Sequence, residues 1–150
     1  MAVMLQFPLG DVVVDLYDEG EPARICESFT RLCARKYYHG CLVYQVQAGC
    51  LAQMGDPTGT GAGGSGKKLP AEFSAEPHVR GICSMARTQD PNSADSQFFI
   101  VFGDATFLDR QYTVWGKVIS GMEAVDKIKR GEPVREPDRI VKMRVAADAA

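Results

Sequence analysis

Histidine is scarce in this chain: 2 occur among 150 residues, His39 and His78, each beside a turn residue. A Ser/His/Asp triad, a Cys/His dyad or a zinc site needs more clustering than that. Both imidazoles are therefore expected at the solvated surface, and no metal or other cofactor is implied. No CxxC pair occurs among the 5 cysteines, Cys26, Cys33, Cys41, Cys50 and Cys83. An odd number without that spacing argues against a disulfide framework and for buried thiols in a reducing compartment. An excess of one charge is missing too. With 17 Lys+Arg against 19 Asp+Glu the formal net charge is −2, so no global field recruits nucleic acid or an anionic membrane. No apolar run approaches the roughly 18–20 residues that span a bilayer. The start, MAVMLQFPLGDVVVD, has no basic n-region and soon meets an acid, unlike a secretory signal. A cytoplasmic location, or a nuclear one, is the expectation. Neither an internal repeat nor a linker divides the chain, so residues 1–150 are expected to form a single domain of ordinary size.

What is present reads mainly as short strands. Val3–Phe7 and Asp11–Tyr17 are rich in β-formers and flank Pro8-Leu9-Gly10, an opening hairpin. A helix is predicted from Glu21-Pro22 to near Lys36, with Ile25, Cys26, Phe29, Leu32 and Cys33 as its apolar stripe. Further strands are predicted at 41–46, 50–53, 81–86, 97–102 and 116–119, and a last one over 139–145. Ser120 and Glu123 have the spacing of a capping box for a second, short helix carrying Met122, Val125 and Ile128 and ended by Gly131. About eight strands with two widely separated helices cannot supply the crossovers of a parallel sheet. A closed or nearly closed antiparallel barrel with helices over its ends fits better.

Two motifs have plain readings. Gly61 to Lys68 nearly matches GxxxxGK[ST], but lysine stands where a magnesium-binding hydroxyl is needed and Leu69-Pro70 stops any following helix. It reads as a surface loop. The basic residues between Lys127 and Arg144 interleave with Glu132, Glu136 and Asp138 and read as a solvated face.

Longer motifs carry a family resemblance. GDPTGTGAGG (55–64), FSAE (73–76), GICSMART (81–88), NSADSQFFI (92–100) and FLDRQYTVWGKVISGMEAVDKI (107–128) resemble the cyclophilins, peptidyl-prolyl cis–trans isomerases. LGDVVVDLYDE (9–19) and KYYHG (36–40) do so as well. The connector 66–81, the ARTQDPNSA loop and the ending VREPDRIVK are similar to the compact bacterial type. The first fifty residues are closer to nuclear cyclophilins that carry an RNA-recognition motif.

The resemblance implies a mainly β fold, an eight-stranded closed antiparallel β-barrel capped by two α-helices. It implies a monomer whose groove takes proline-containing peptides or unfolded proteins, assisting folding in a chaperone-like way. Two stretches are expected to face each other as its walls, Tyr38–Asp56 and Ser84–Gly116. Phe99 and Leu108 match the floor and side of the proline pocket. Gln53 and Gln97 match groups that hold the peptide backbone, and Ala86 and Arg87 the strip along which the preceding peptide unit lies. Phe107 matches a rim position that is tryptophan in members sensitive to cyclosporin. Phenylalanine lacks the indole donor, so weak cyclosporin binding is expected.

The departures cluster on one wall. The family pattern at 43–46 is Phe-His-Arg-Val, and this chain has Val43-Tyr44-Gln45-Val46. Gln45 stands at the catalytic arginine position. Cys50 and Leu51 replace a pocket phenylalanine and methionine, and Tyr112 replaces a histidine at the pocket edge. The expectation is an isomerase of reduced activity, or a catalytically silent proline-peptide module within a larger assembly.

Overall fold

The computed structural model describes residues 2–17 and 23–145. The predicted helix start at Glu21-Pro22 lies outside the described residues, as do residues 146–150. In chain order the elements are β1 (Ala2–Phe7), β2 (Gly10–Leu16), α1 (Ala23–Ala34), β3 (Gln45–Gln47), β4 (Leu51–Met54), β5 (Ile82–Met85) and β6 (Phe98–Val101). A 3-10 turn (Thr106–Leu108), β7 (Val114–Ser120), α2 (Met122–Asp126) and β8 (Lys142–Val145) complete the set. The eight strands form one sheet in the order β3-β4-β6-β5-β7-β2-β1-β8, and each pairing is antiparallel.

The expected closure is corrected: the sheet is a half-barrel. Its edge strands β3 and β8 form no ladder with each other. Isolated bridges span the gap, Val46 to Gly131 and Leu42 to Arg139. Residues 40–44 and 131–140 run there as irregular chain hydrogen-bonded to each other. Val43 N donates to Asp138 O at 2.8 Å, Val134 N to Tyr44 O at 2.9 Å, and Ile140 N to Cys41 O at 2.8 Å. Pro133 and Pro137 lack N–H groups and fix their own φ, so a regular ladder cannot form across them. The predicted strand at 41–46 shrinks to Gln45–Gln47 for the same reason.

Inside the barrel the apolar alternation of the strands meets the stripe of α1. Ile25, Phe29 and Leu32 are at most 1% exposed. Phe29 lies on Trp115, centroids 3.9 Å apart, and Phe98 stands edge-on to both at 5.4 Å. Burying such a trio supplies apolar area together with offset and edge-to-face ring contacts. Tyr38 closes the stack, and its hydroxyl donates to Ser96 O at 2.9 Å.

The capping box does not form. The N-cap of α2 is Gly121 at φ 94°, with no side-chain cap bond. Its backbone passes so close to β2 that a Cβ there would sit 2.1 Å from Asp11 O. Glycine alone fits, and the helix begins one residue later than the box requires. α2 also ends at Asp126, so Gly131 lies beyond it in the gap. Among the described residues no helix is long and apolar enough to cross a membrane.

Candidate active site

Register assembles the site as one row. Gln45 on β3 pairs with Gln53 on β4, Gln53 with Phe99 on β6, and Phe99 with Ser84 on β5. Directly paired residues present their side chains to the same sheet face. Val46, one step along β3, points the other way and is fully buried in the core. The two stretches expected to face each other lie side by side in one sheet: β3 and β4 of the first are followed by β6 of the second.

A cavity of about 180 Å³ sits against this row. Gln45, Leu51, Gln53 and Phe99 line it from the strands, and Ala86 and Arg87 from the residues after β5. The 3-10 turn and the residues after it arch over with Phe107, Leu108 and Tyr112. That turn is started by Asp104, whose carboxylate accepts from Thr106 N (2.9 Å) and Thr106 Oγ1 (2.8 Å). Gln47 also lines the cavity and was not singled out from sequence. Its signal is the period of two, which puts it on the face of Gln45.

Three expected site residues stand elsewhere. Cys50 is 5% exposed and packs behind the cavity with Phe99, Val101 and Ala105. Burial, with Asp104 and Glu132 nearby, raises its thiol pKa. Tyr44 is 6% exposed, and its hydroxyl donates to Gln97 Oε1. Gln53 Nε2 donates to Tyr44 Oη at 2.7 Å and to Gln97 Oε1 at 3.2 Å. Burial pushes the Tyr44 phenol up to about 12, against the hydrogen bond from Gln53, which lowers it. It stays neutral and fixes the Gln53 amide. Gln97 Nε2 donates to Gly61 O and Gly63 O, both at 2.9 Å. Both its amide hydrogens and its carbonyl are engaged, so Gln97 ties the glycine loop to the strands beside a second cavity of about 380 Å³.

Arg87 is held in place. Its Nε donates to Gln111 O (2.8 Å) and its Nη1 to Thr88 O (2.8 Å), while Cζ lies 4.7 Å over the Tyr112 ring. Cation–π contact and two carbonyls fix the guanidinium against the arch.

One cluster escaped the sequence reading. His78, expected at the surface, is fully buried. Its Nδ1 lies 3.1 Å from Asp109 Oδ1 and its Nε2 2.9 Å from Ser84 Oγ. Its ring stacks at 6.0 Å on Phe99. The order Asp–His–Ser imitates a hydrolytic triad, yet Ser84 is fully buried and its hydroxyl also reaches Thr113 O at 2.9 Å. No carbonyl substrate can approach it. Burial lowers the His78 pKa, partly opposed by Asp109, and the neutral ring supports the cavity floor from behind. His39 is half-buried, and burial lowers its pKa as well. Among the described residues no cluster of His, Cys, Asp and Glu could hold a metal ion.

Together the fold and the site define a mainly β half-barrel with two helices and a lateral groove that combines an apolar cavity with oriented amides. The sequence model of the family described as cyclophilin type peptidyl-prolyl cis-trans isomerase/CLD matches residues 2–145. A probable peptidyl-prolyl cis-trans isomerase of Brucella suis is 44% identical over 163 residues, covering 97% of this chain and 83% of that one. The rat peptidyl-prolyl cis-trans isomerase-like 3 is 45% identical over 141 residues, covering 91% and 86%. The crystal structure of a Cryptosporidium parvum cyclophilin type isomerase, solved in the presence of the dipeptide Ala-Pro, superposes with a TM-score of 0.88 at 28% identity. It covers 97% of this chain and 98% of that one. The chain belongs to the cyclophilin-type peptidyl-prolyl cis–trans isomerases, an enzyme family.

Proposed function

We propose that this chain isomerises X–Pro bonds in peptides and unfolded proteins, at a rate well below that of a family member with arginine at the position of Gln45. An X–Pro bond turns slowly because amide resonance sets a barrier of about 18–20 kcal/mol. A catalyst favours the twisted state, in which resonance is lost and the prolyl nitrogen becomes basic. A cationic donor fixed at that nitrogen acts more strongly there than in the ground state. A dry cavity holding the ring adds orientation.

One observation carries the reading. Gln45 lines the cavity where the resemblance puts the cation, and it is neutral. Losing a preorganised donor costs about 3–4 kcal/mol, or roughly 10²–10³ in rate. Arg87 is the cation that lines the same cavity, but Nε and Nη1 are already committed to backbone carbonyls. The binding side keeps an apolar floor and arch: Phe99 is the floor, Leu108 and Phe107 the arch, and Gln53 an amide held by Tyr44.

A binding role without turnover is the second reading, supported by the same contrast between a cavity with an apolar floor and arch and a neutral Gln45. Chemical-shift mapping with an Ala-Pro peptide, run together with NMR exchange of its cis and trans forms, separates the two. The proposal expects shifts at Phe99, Leu108 and Gln53 with slow but measurable catalysed exchange. Binding without any catalysed exchange selects the second reading, and the absence of shifts at millimolar peptide removes both.

A further inference from the structure

The groove continues beyond the proline cavity. That cavity shares Gln53, Ala86 and Arg87 with the cavity of about 380 Å³. The second in turn shares Lys68 with a third, of about 310 Å³, enclosed between α1 and the residues that leave the glycine loop. Three cavities therefore follow one another along one track, each joined to the next by common side chains.

The third has its own chemistry. Arg24, Arg31, Lys67 and Lys68 line it, and Glu27 is its one carboxylate. Arg24, Glu27 and Arg31 recur at helical spacing, so α1 presents them on one face toward the loop. This concentration of positive charge stands on a chain whose formal net charge is −2. It is only partly neutralised locally, by Glu27 and by Asp95 beside Lys68. Among the described residues, Arg31 and Lys67 take part in no ion pair. Lys68 Nζ has Asp95 Oδ2 at 4.0 Å, an ion pair that offsets part of its charge, and that carboxylate also accepts from Ser65 N (2.8 Å) and Gly66 N (2.9 Å). The N-terminus of α1 is occupied from the side, since the Glu72 carboxylate accepts from Arg24 N (3.3 Å) and Ile25 N (3.2 Å). The positive character of the cavity thus comes from side chains.

We propose that the third cavity is a subsite for the carboxylates of Asp and Glu in the same peptide whose proline fills the Phe99 cavity. The preferred ligands are then proline segments flanked on one side by acidic residues. This rests on the reading of the groove as a proline-peptide site. Partly enclosed cations attract carboxylates over about a Debye length, about 8 Å at physiological ionic strength, and such complementarity acts on selection among peptides. A peptide crossing the middle cavity is extended, advancing about 3.3 Å per residue.

The test uses the whole chain and synthetic peptides with one Ala-Pro core. An Asp-Glu pair is placed at successive positions, about two to six residues before or after the proline. Controls carry Asn-Gln instead, or keep the acids and replace proline by alanine. Dissociation constants are read by NMR titration at low and at high salt. The proposal expects one register, on one side only, to bind about threefold to tenfold tighter than the Asn-Gln control at low salt, with the gain shrinking as salt rises. The double variant Arg31→Glu, Lys67→Glu should lose that gain while binding the Asn-Gln peptide as the wild type does, which also reports that it is folded. Arg31→Ala with Lys67→Ala should fall between. Equal binding of acidic and Asn-Gln peptides in every register overturns the subsite and leaves the groove reading standing. An acidic peptide that binds equally well without proline overturns the link between the cavities. Failure of every proline peptide to bind overturns the groove reading and the subsite with it.

Discussion

At the scale of single residues, the site depends on what stands at 45 and on what holds its neighbours. Gln53 is aimed by Tyr44, Tyr44 by Gln97, and Gln97 by the carbonyls of Gly61 and Gly63. The floor, Phe99, rests on His78. His78 is buried and its folded-state pKa is lowered by that burial, while in an unfolded chain histidine titrates near about 6.5. The unfolded state therefore binds more protons below that pH. The neutral ring's contribution to stability is complete above about 6.5 and declines as the pH falls toward the folded pKa. The urea midpoint of the wild type should drop between pH 7.5 and 5, and His78→Gln should flatten that drop. The same variant should lose about 1–3 kcal/mol at pH 7.5 through the unmet Asp109 and Ser84 partners. An unchanged midpoint at pH 7.5 would contradict a supporting role. None of this trio was legible from sequence. Residues 78, 84 and 109 are brought together only by β5 and the arch, and the scarcity of histidine pointed away from any network. Cys50 misled for a related reason: a resemblance supplies a position, not the side of the wall on which a smaller side chain settles.

Among the elements, the glycine-rich segment between β4 and β5 shows how an irregular loop is ordered. Asp56 is fully buried and accepts from Thr58 N (2.8 Å), Gly61 N (2.7 Å) and Gly63 N (3.0 Å). A Cβ at Gly63 would lie 2.1 Å from Asp56 Oδ1, so the loop closes on the carboxylate only with glycine there. Burial alone would raise the Asp56 pKa. The hydrogen bonds from Gly63, Thr58 and Gly61 win and hold it down to about 2. Because the folded value lies below the unfolded value of about 3.9, the loop's contribution is full above pH ~4 and is lost as the pH falls through about 2, an effect of about 2 kcal/mol. Asp56→Asn should cost about 2–3 kcal/mol at neutral pH. It should also speed amide hydrogen exchange over residues 58–66 while the strands stay protected, and uniform exchange rates in both proteins would contradict this role. The sequence correctly assigned this segment as irregular, since glycine density rules out ladders. It could not say that two aspartates tether it, because Asp95 reaches the loop from 29 and 30 residues away. Strands were legible where β-forming residues run together, as in β1, β2 and β7. The strand predicted at 41–46 was misjudged because its partner segment 131–140 contains prolines and the pairing breaks into bridges, and of 139–145 only Lys142–Val145 forms a strand, paired with β1.

For the whole molecule, burial explains the cysteines: Cys26, Cys33, Cys41 and Cys83 lie in the main core and Cys50 in the cluster behind the cavity. All 5 are at most 5% exposed, and burial raises the thiol pKa of Cys41, Cys50 and Cys83. A thiol reagent at pH 8 should therefore react slowly with the native protein and with 5 groups after denaturation. Fast reaction of the native chain would show that the barrel opens locally. The same rigid frame keeps the groove in shape while the chemistry at its centre varies. The central proposal is that the frame and cavity belong to a prolyl isomerase slowed chiefly by the neutral residue at position 45. NMR exchange on an Ala-Pro peptide, comparing the wild type with Gln45→Arg, tests it most directly. A rise in catalysed exchange of at least about tenfold in Gln45→Arg, part of the roughly 10²–10³ that one donor supplies, is the predicted result. A wild type as fast as an arginine-bearing family member, or a Gln45→Arg variant that binds the peptide yet gains no rate, would contradict it.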